Sequence, residues 1–125
     1  ILLSKSEAEA IFFNCLCDND IHIHSLQWTF NKQAYEKSKE EWMKNHQGNL
    51  PCYEDIIMQM LYDGGQLGIF DLECEELFYV SLFDIHERMY KCPIDRLTNV
   101  LEGNYDVEDT DAIIQTIFFG EVIYG

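Results

Sequence analysis

Tyr105-Asp-Val-Glu-Asp-Thr-Asp-Ala-Ile-Ile-Gln-Thr-Ile-Phe-Phe-Gly-Glu-Val-Ile-Tyr-Gly125 places Asp106, Glu108, Asp109 and Asp111 directly before the most apolar run of the chain, Ala112 to Phe119. Ile113, Ile114, Ile117 and Phe118 fall at helical spacing, so one face of this stretch has to be buried. Acids near a helix start are stabilised by the unpaired N–H groups there, by about 0.3–1 kcal/mol each. The stretch therefore predicts a capped helix beginning at Asp109 or Thr110 that completes the core.

Upstream of it, Pro93 opens a short helix through Leu97, Val100 and Leu101 to Gly103, and Ser81 with Asp84 caps another over Leu82 to Cys92. Leu67-Gly-Ile-Phe-Asp-Leu72 and Leu77-Phe-Tyr-Val-Ser-Leu82 read as a hairpin joined across Glu73-Cys-Glu-Glu76. Both strands carry apolar residues on both faces, which places at least part of the hairpin between two packed layers. Pro51 suits the first turn of a helix whose Tyr53, Ile56, Ile57, Met60 and Leu61 form a core stripe ending at Gly64-Gly65. Asn31 to His46 is a polar surface helix with a stripe of Ala34, Tyr35, Ser38 and Trp42 and an i,i+4 pair of Glu40 with Lys44. Ile21 to Phe30 reads as a strand with His22 and His24 on one face. Ser4 and Glu7 form a capping box for a first helix, Lys5 to Cys17, with Ala8, Ile11, Phe12, Cys15 and Leu16 on one face, broken by Asp18-Asn19-Asp20. These elements amount to a single α+β domain, residues 1 to 125: about five helices packed with a small antiparallel sheet of about three strands.

Composition agrees with a folded globule, at 47% hydrophobic and 14% aromatic residues with two prolines. The charge is the outlier. Twenty-three acids against eight bases give −15, which disfavours direct contact with nucleic acid or an anionic membrane and disfavours homo-oligomers. The partner it favours presents a basic surface. Cys15, Cys17, Cys52, Cys74 and Cys92 show no Cys-x-x-Cys spacing and read as reduced thiols of a cytoplasmic protein. The start, Ile1-Leu-Leu-Ser-Lys-Ser-Glu, is neither a signal peptide nor a transmembrane helix.

Three kinds of chemistry have candidate residues. His22 and His24 sharing a strand face, with Cys15 and Cys17 nearby, could ligate a metal, but no third ligand is placed by spacing. Cys92 or Cys74 with His86 could form a nucleophilic pair, although no local signature supports one. A small metal-dependent or Cys/His enzyme is thus the alternative reading. Calcium loops fail by count: from Asp71 the sixth and twelfth positions are Glu76 and Leu82, and from Asp106 they are Asp111 and Ile117, where a loop needs Gly and Glu. No metal or cofactor is predicted.

Acidity remains as the distinguishing feature. Residues 71 to 125 hold thirteen acids and three bases, net −10, whereas residues 1 to 70 hold ten acids and five bases, net −5. Asp106, Glu108, Asp109 and Asp111 are explained largely as a helix cap. Asp71, Glu73, Glu75 and Glu76 are not, because like charges crowded on a hairpin repel with no helix dipole to offset them. Charge on a strand edge does deter aggregation. These eight acids are the predicted partner-binding residues, the hairpin group being the stronger carrier.

Two blocks, Gly64-Gly-x-Leu67 into Phe70-Asp71-x-Glu73-x-x-Glu76 and Leu82, and Asp111-x-Ile113-x-Gln115 to Phe119-Gly120-Glu121-x-x-Tyr124-Gly125, carry a resemblance. In them the chain resembles a group of short, acidic, uncharacterised proteins encoded in phages and mobile elements of gut bacteria. The blocks span under half of the chain. The resemblance implies an accessory protein of a mobile element. By analogy with anti-restriction and anti-CRISPR inhibitors, it implies a non-catalytic mimic of nucleic-acid charge that occupies a basic groove on a host enzyme.

Overall fold

Six α-helices and three strands form on residues 3–18 and 21–125, the part of the chain that the computed structural model describes. Helix α1, Lys5–Cys17, starts as its capping box demands: Ser4 Oγ accepts from Glu7 N at 3.0 Å, and Glu7 Oε1 accepts from Ser4 N at 3.0 Å. It buries Ala8, Ile11, Phe12, Cys15 and Leu16, the predicted stripe. Asp18 is its C-cap, while Ile1, Leu2, Asn19 and Asp20 of the predicted amino terminus and helix break lie outside the described residues.

The strand expected from Ile21 to Phe30 is half wrong. Ile21–His24 forms a 3-10 turn, Ser25 turns the backbone at φ 59°, and only Leu26–Thr29 is strand β1. Ile21 is 1% exposed and drops into the core, while His24 turns onto the last helix. Those contacts are with residues far away in sequence, and they override a local alternation. Helix α2, Lys32–Asn45, is capped by Asn31 and buries only Ser38, as a surface helix should. Among the described residues, the expected pair of Glu40 with Lys44 is not one of the ion pairs within 4.0 Å. Helix α3, Tyr53–Tyr62, buries Ile56, Ile57, Met58, Met60 and Leu61; its N-cap is Cys52, bonded reciprocally with Asp55, so Pro51 lies outside the first turn.

Strands β2, Leu67–Asp71, and β3, Glu76–Val80, form the expected hairpin, and the sheet order is β1-β2-β3, antiparallel throughout. The register puts Leu26, Asp71 and Glu76 in one row, Trp28, Ile69 and Phe78 in the next, and Leu67 with Val80 after that. This face packs on the helices. The opposite face, with rows Gln27-Phe70-Leu77 and Thr29-Gly68-Tyr79, stays open on β3, where Leu77 is 52% and Tyr79 44% exposed. The expected second covering layer is therefore not formed over β3. Tyr79 instead lies against Gly68: a Cβ there would sit 2.7 Å from the tyrosine ring.

Helices α4, Leu82–Met89, and α5, Ile94–Leu101, lie where expected, the first capped by Ser81 and Asp84 but ending short of the expected Cys92, the second with Pro93 as its N-cap. Helix α6, Val107–Phe119, begins earlier than expected because Asp106, not Asp109, is its N-cap; Asp109 N donates to Asp106 Oδ1 at 3.1 Å, and Asp106 N donates to Asp109 Oδ2 at 3.1 Å. Nine of its thirteen residues are buried. One hydrophobic cluster contains Phe12 of α1, Ile57 of α3, Ile69 of β2, Ile85 of α4, Leu97 of α5 and Ile113 of α6. Glu9 fastens three helices, accepting from Tyr62 Oη and from His86 Nε2, each at 2.6 Å. Among the described residues no helix is long and apolar enough to cross a membrane.

Candidate acidic surface and the tail clasp

The eight acids singled out in the sequence divide into two classes. Glu73, Glu75, Glu76, Asp106 and Glu108 are exposed; Asp71 and Asp109 are buried at 0% and 3%, and Asp111 is half-buried. Asp71 and Asp109 thus leave the predicted contact surface, and each does structural work instead. The exposed acids lie at two places, the β2–β3 turn and the start of α6.

Asp71 builds the turn that displays its neighbours. Its Oδ1 accepts from Glu73 N at 3.0 Å and Cys74 N at 3.4 Å, and its Oδ2 accepts from Tyr124 Oη. Burial pushes its pKa up, but the bonds from Tyr124, Cys74 and Glu73 together outweigh burial and hold it below 3.8. A carboxylate fixed in this way closes the turn over Leu72 to Glu75, with Glu75 held at φ 55°. Glu73, Glu75 and Glu76 are therefore presented by an anchored loop.

Tyr124 links the turn to the end of the chain. After Gly120, at φ 86°, closes α6, the tail folds back onto the helix and is gripped by Gln115. Gln115 Oε1 accepts from Ile123 N at 2.9 Å and Tyr124 N at 2.8 Å, and its Nε2 donates to Tyr124 O at 3.0 Å and Asp111 Oδ2 at 3.0 Å. Asp111 in turn receives His24 Nε2 at 3.1 Å on both oxygens; a carboxylate only accepts, so the imidazole nitrogen is the donor. The His24 ring stacks on Tyr124 at 5.6 Å, and Phe119 meets Tyr124 and Phe78 edge-on. Asp71, Asp111, Gln115, Phe119, Gly120 and Tyr124, drawn from both sequence blocks, thus belong to one clasp. The bond to Asp71 raises the Tyr124 phenol to about 12.

Asp109 is the second inward acid. Arg96 Nη1 reaches its Oδ1 at 2.8 Å, and Asn99 Nδ2 lies 3.3 Å from each oxygen. Burial raises its pKa, yet Arg96, the Asp106 N–H and Asn99 prevail and depress it. Arg88 is also engaged, donating to Ile117 O at 2.9 Å beside Asp84 at 3.9 Å. Of the three bases in residues 71 to 125, both arginines are thus engaged by the protein, and Lys91 is exposed.

The residues of the alternative reading are not brought together as expected. His22 and His24 lie on a 3-10 turn and not on one strand face, and His24 is taken up by Asp111. Among the described residues no group of three or more His, Cys, Asp and Glu is arranged to hold a metal ion. His86 bonds Glu9, burial pushes the Cys92 thiol up to about 12, and burial with the Asp71 contact raises that of Cys74. A thiol raised in this way is a poor nucleophile.

The clasp roles of His24, Gln115 and Tyr124 escaped the sequence reading, which took His24 for a possible metal ligand. One signal was present: Gln115 is a lone amide inside the apolar run Ala112 to Phe119, and a buried amide needs partners. No family model matches the chain, and no curated protein or solved structure is significantly similar to it.

Proposed function

We propose that this chain is a non-catalytic acidic interaction protein that imitates the charge of nucleic acid toward a basic, nucleic-acid-binding partner. Glu73 and Glu75 on the anchored β2–β3 turn, with Glu76 at the start of β3, make the principal contact, and Asp106 and Glu108 add to the field. The setting is that of a mobile-element accessory acting in the cytoplasm on a host enzyme, as anti-restriction and anti-CRISPR inhibitors do. The observation that carries this reading is the engagement of Arg88 by Ile117 O and of Arg96 by Asp109. Arg88 stands beside Asp84 and Arg96 pairs with Asp109, so the exposed Glu73, Glu75, Glu76 and Glu108 are not the carboxylates these arginines neutralise.

The test is capture of basic proteins from a bacterial lysate by the wild-type chain and by a Glu73→Lys, Glu75→Lys, Glu76→Lys variant, with duplex DNA as competitor. Asp71 is left intact because it holds the turn. The wild type should retain nucleic-acid-binding proteins that added DNA displaces, with retention falling steeply as salt rises. Equal recovery by the variant, or bound proteins indifferent to DNA, would end the proposal.

A further inference from the structure

The free edge of β3 carries an inference about how the partner docks. Leu72 N donates to Ser25 O at 3.0 Å, and Ser25 stands opposite Leu72 by continuation of the β1–β2 register. Hydrogen-bonded pairs alternate along an antiparallel ladder, so Phe70 and Gly68 also direct their N–H and C=O groups to β1. Leu67, Ile69 and Asp71 then direct theirs to Val80, Phe78 and Glu76. What is left over is Leu77 and Tyr79, whose N–H and C=O groups point away from the sheet. No hydrogen bond from another element reaches the backbone of Glu76–Val80 among the described residues, and the side chains of Leu77 and Tyr79 are 52% and 44% exposed.

Such an edge is a template for one more strand, and proteins ordinarily blunt it with Lys, Pro or a bulge. None occurs between Leu77 and Val80. The only charges are the acids at its turn end, Glu76 on the strand with Glu73 and Glu75 beyond. They do not close the edge to every strand. They repel a second copy of this −15 chain and favour a strand that brings Lys or Arg.

We propose that β3 receives an extended segment of the basic partner as a fourth strand. Backbone groups of Leu77 and Tyr79 pair with it, its apolar side chains cover Leu77 and Tyr79, and its basic side chains meet Glu73, Glu75 and Glu76. This inference rests on the acidic-partner reading above and names its geometry.

Proline distinguishes the two. Leu77→Pro removes an outward N–H and leaves the β2 ladder intact, which is where an edge strand tolerates proline; Leu77→Thr keeps the N–H and removes the same exposed leucine. The probes are an alternating Lys-Val heptapeptide and a flexible Lys-Gly heptapeptide of equal charge. Binding is measured by titration calorimetry, and folding by thermal unfolding. The wild type should prefer the Lys-Val peptide, Leu77→Thr should keep most of that preference, and Leu77→Pro should weaken it at least about tenfold at an unchanged Tm. Amide exchange at Leu77 and Tyr79 should slow in the complex. If Leu77→Pro unfolds, that exchange measurement on the wild type decides alone. Equal binding of both peptides with no protection at Leu77 and Tyr79 overturns strand addition while leaving charge recognition standing. Binding of neither overturns both.

Discussion

Replacing Gln115 with Leu removes the hand that holds the tail while keeping nearly the same volume, so no cavity is introduced. The side chain is 0% exposed and makes three bonds to the tail backbone, to Ile123 N, Tyr124 N and Tyr124 O. At a net of about 0.5–1.5 kcal/mol per bond, the loss is about 2–4 kcal/mol. The upper end is capped, because the tail can leave the helix and return its N–H and C=O groups to water. With ~2.1 cal/mol/K per residue of unfolding entropy over 125 residues, each kcal/mol is worth about 4 °C, so Tm should fall by about 8–16 °C. Thermal unfolding followed by circular dichroism measures this, and amide exchange reads the same event locally, since Ile123 and Tyr124 should lose protection before any helix does. Gln115→Glu should be at least as damaging: it keeps the acceptor for both N–H groups but sets a buried carboxylate against Asp111 and Tyr124 O. A Gln115→Leu protein within about 3 °C of wild type, with Ile123 and Tyr124 still protected, would refute the clasp as a contributor to stability.

Arg96→Met should cost about 1–3 kcal/mol at neutral pH, a range lowered because Arg96 is 33% exposed. Asp109 has a folded pKa below 3.8, so its contribution is full above that value and drains as pH falls through the folded one. Without Arg96 the folded pKa rises, and the acid-unfolding midpoint should shift to higher pH; an unchanged midpoint would count against the pair. Gly68→Ala should lower Tm by about 4 °C, since the new methyl meets Tyr79 and Thr29 at 2.7 Å and both side chains have to rotate away. Glu75→Gly should raise Tm by about 2–4 °C by relieving the left-handed backbone at φ 55°, and a lower Tm would show that the turn is held by more than Asp71.

Sequence alone determined the elements whose causes are local. The Ser4 and Glu7 box set the start of α1, the apolar stripes of α1, α3 and α6 named their buried faces, and the spacing of Leu67–Leu72 and Leu77–Leu82 announced the hairpin. These follow from side-chain periodicity and capping, which act over three or four residues. The charge asymmetry was legible for the same reason, being a sum. Only the tertiary structure decided which acids face water. Asp71 and Glu73 look alike in sequence, but Asp71 stands in the inward row of the sheet, where Tyr124 reaches it from 53 positions away. The 3-10 turn at Ile21–His24 and the clasp of Asp111, Gln115 and His24 have the same origin, in polar groups whose partners arrive from distant parts of the chain. The tail that looked like an acidic signal is a structural strap, and of the eight acids Glu73, Glu75, Glu76, Asp106 and Glu108 face water.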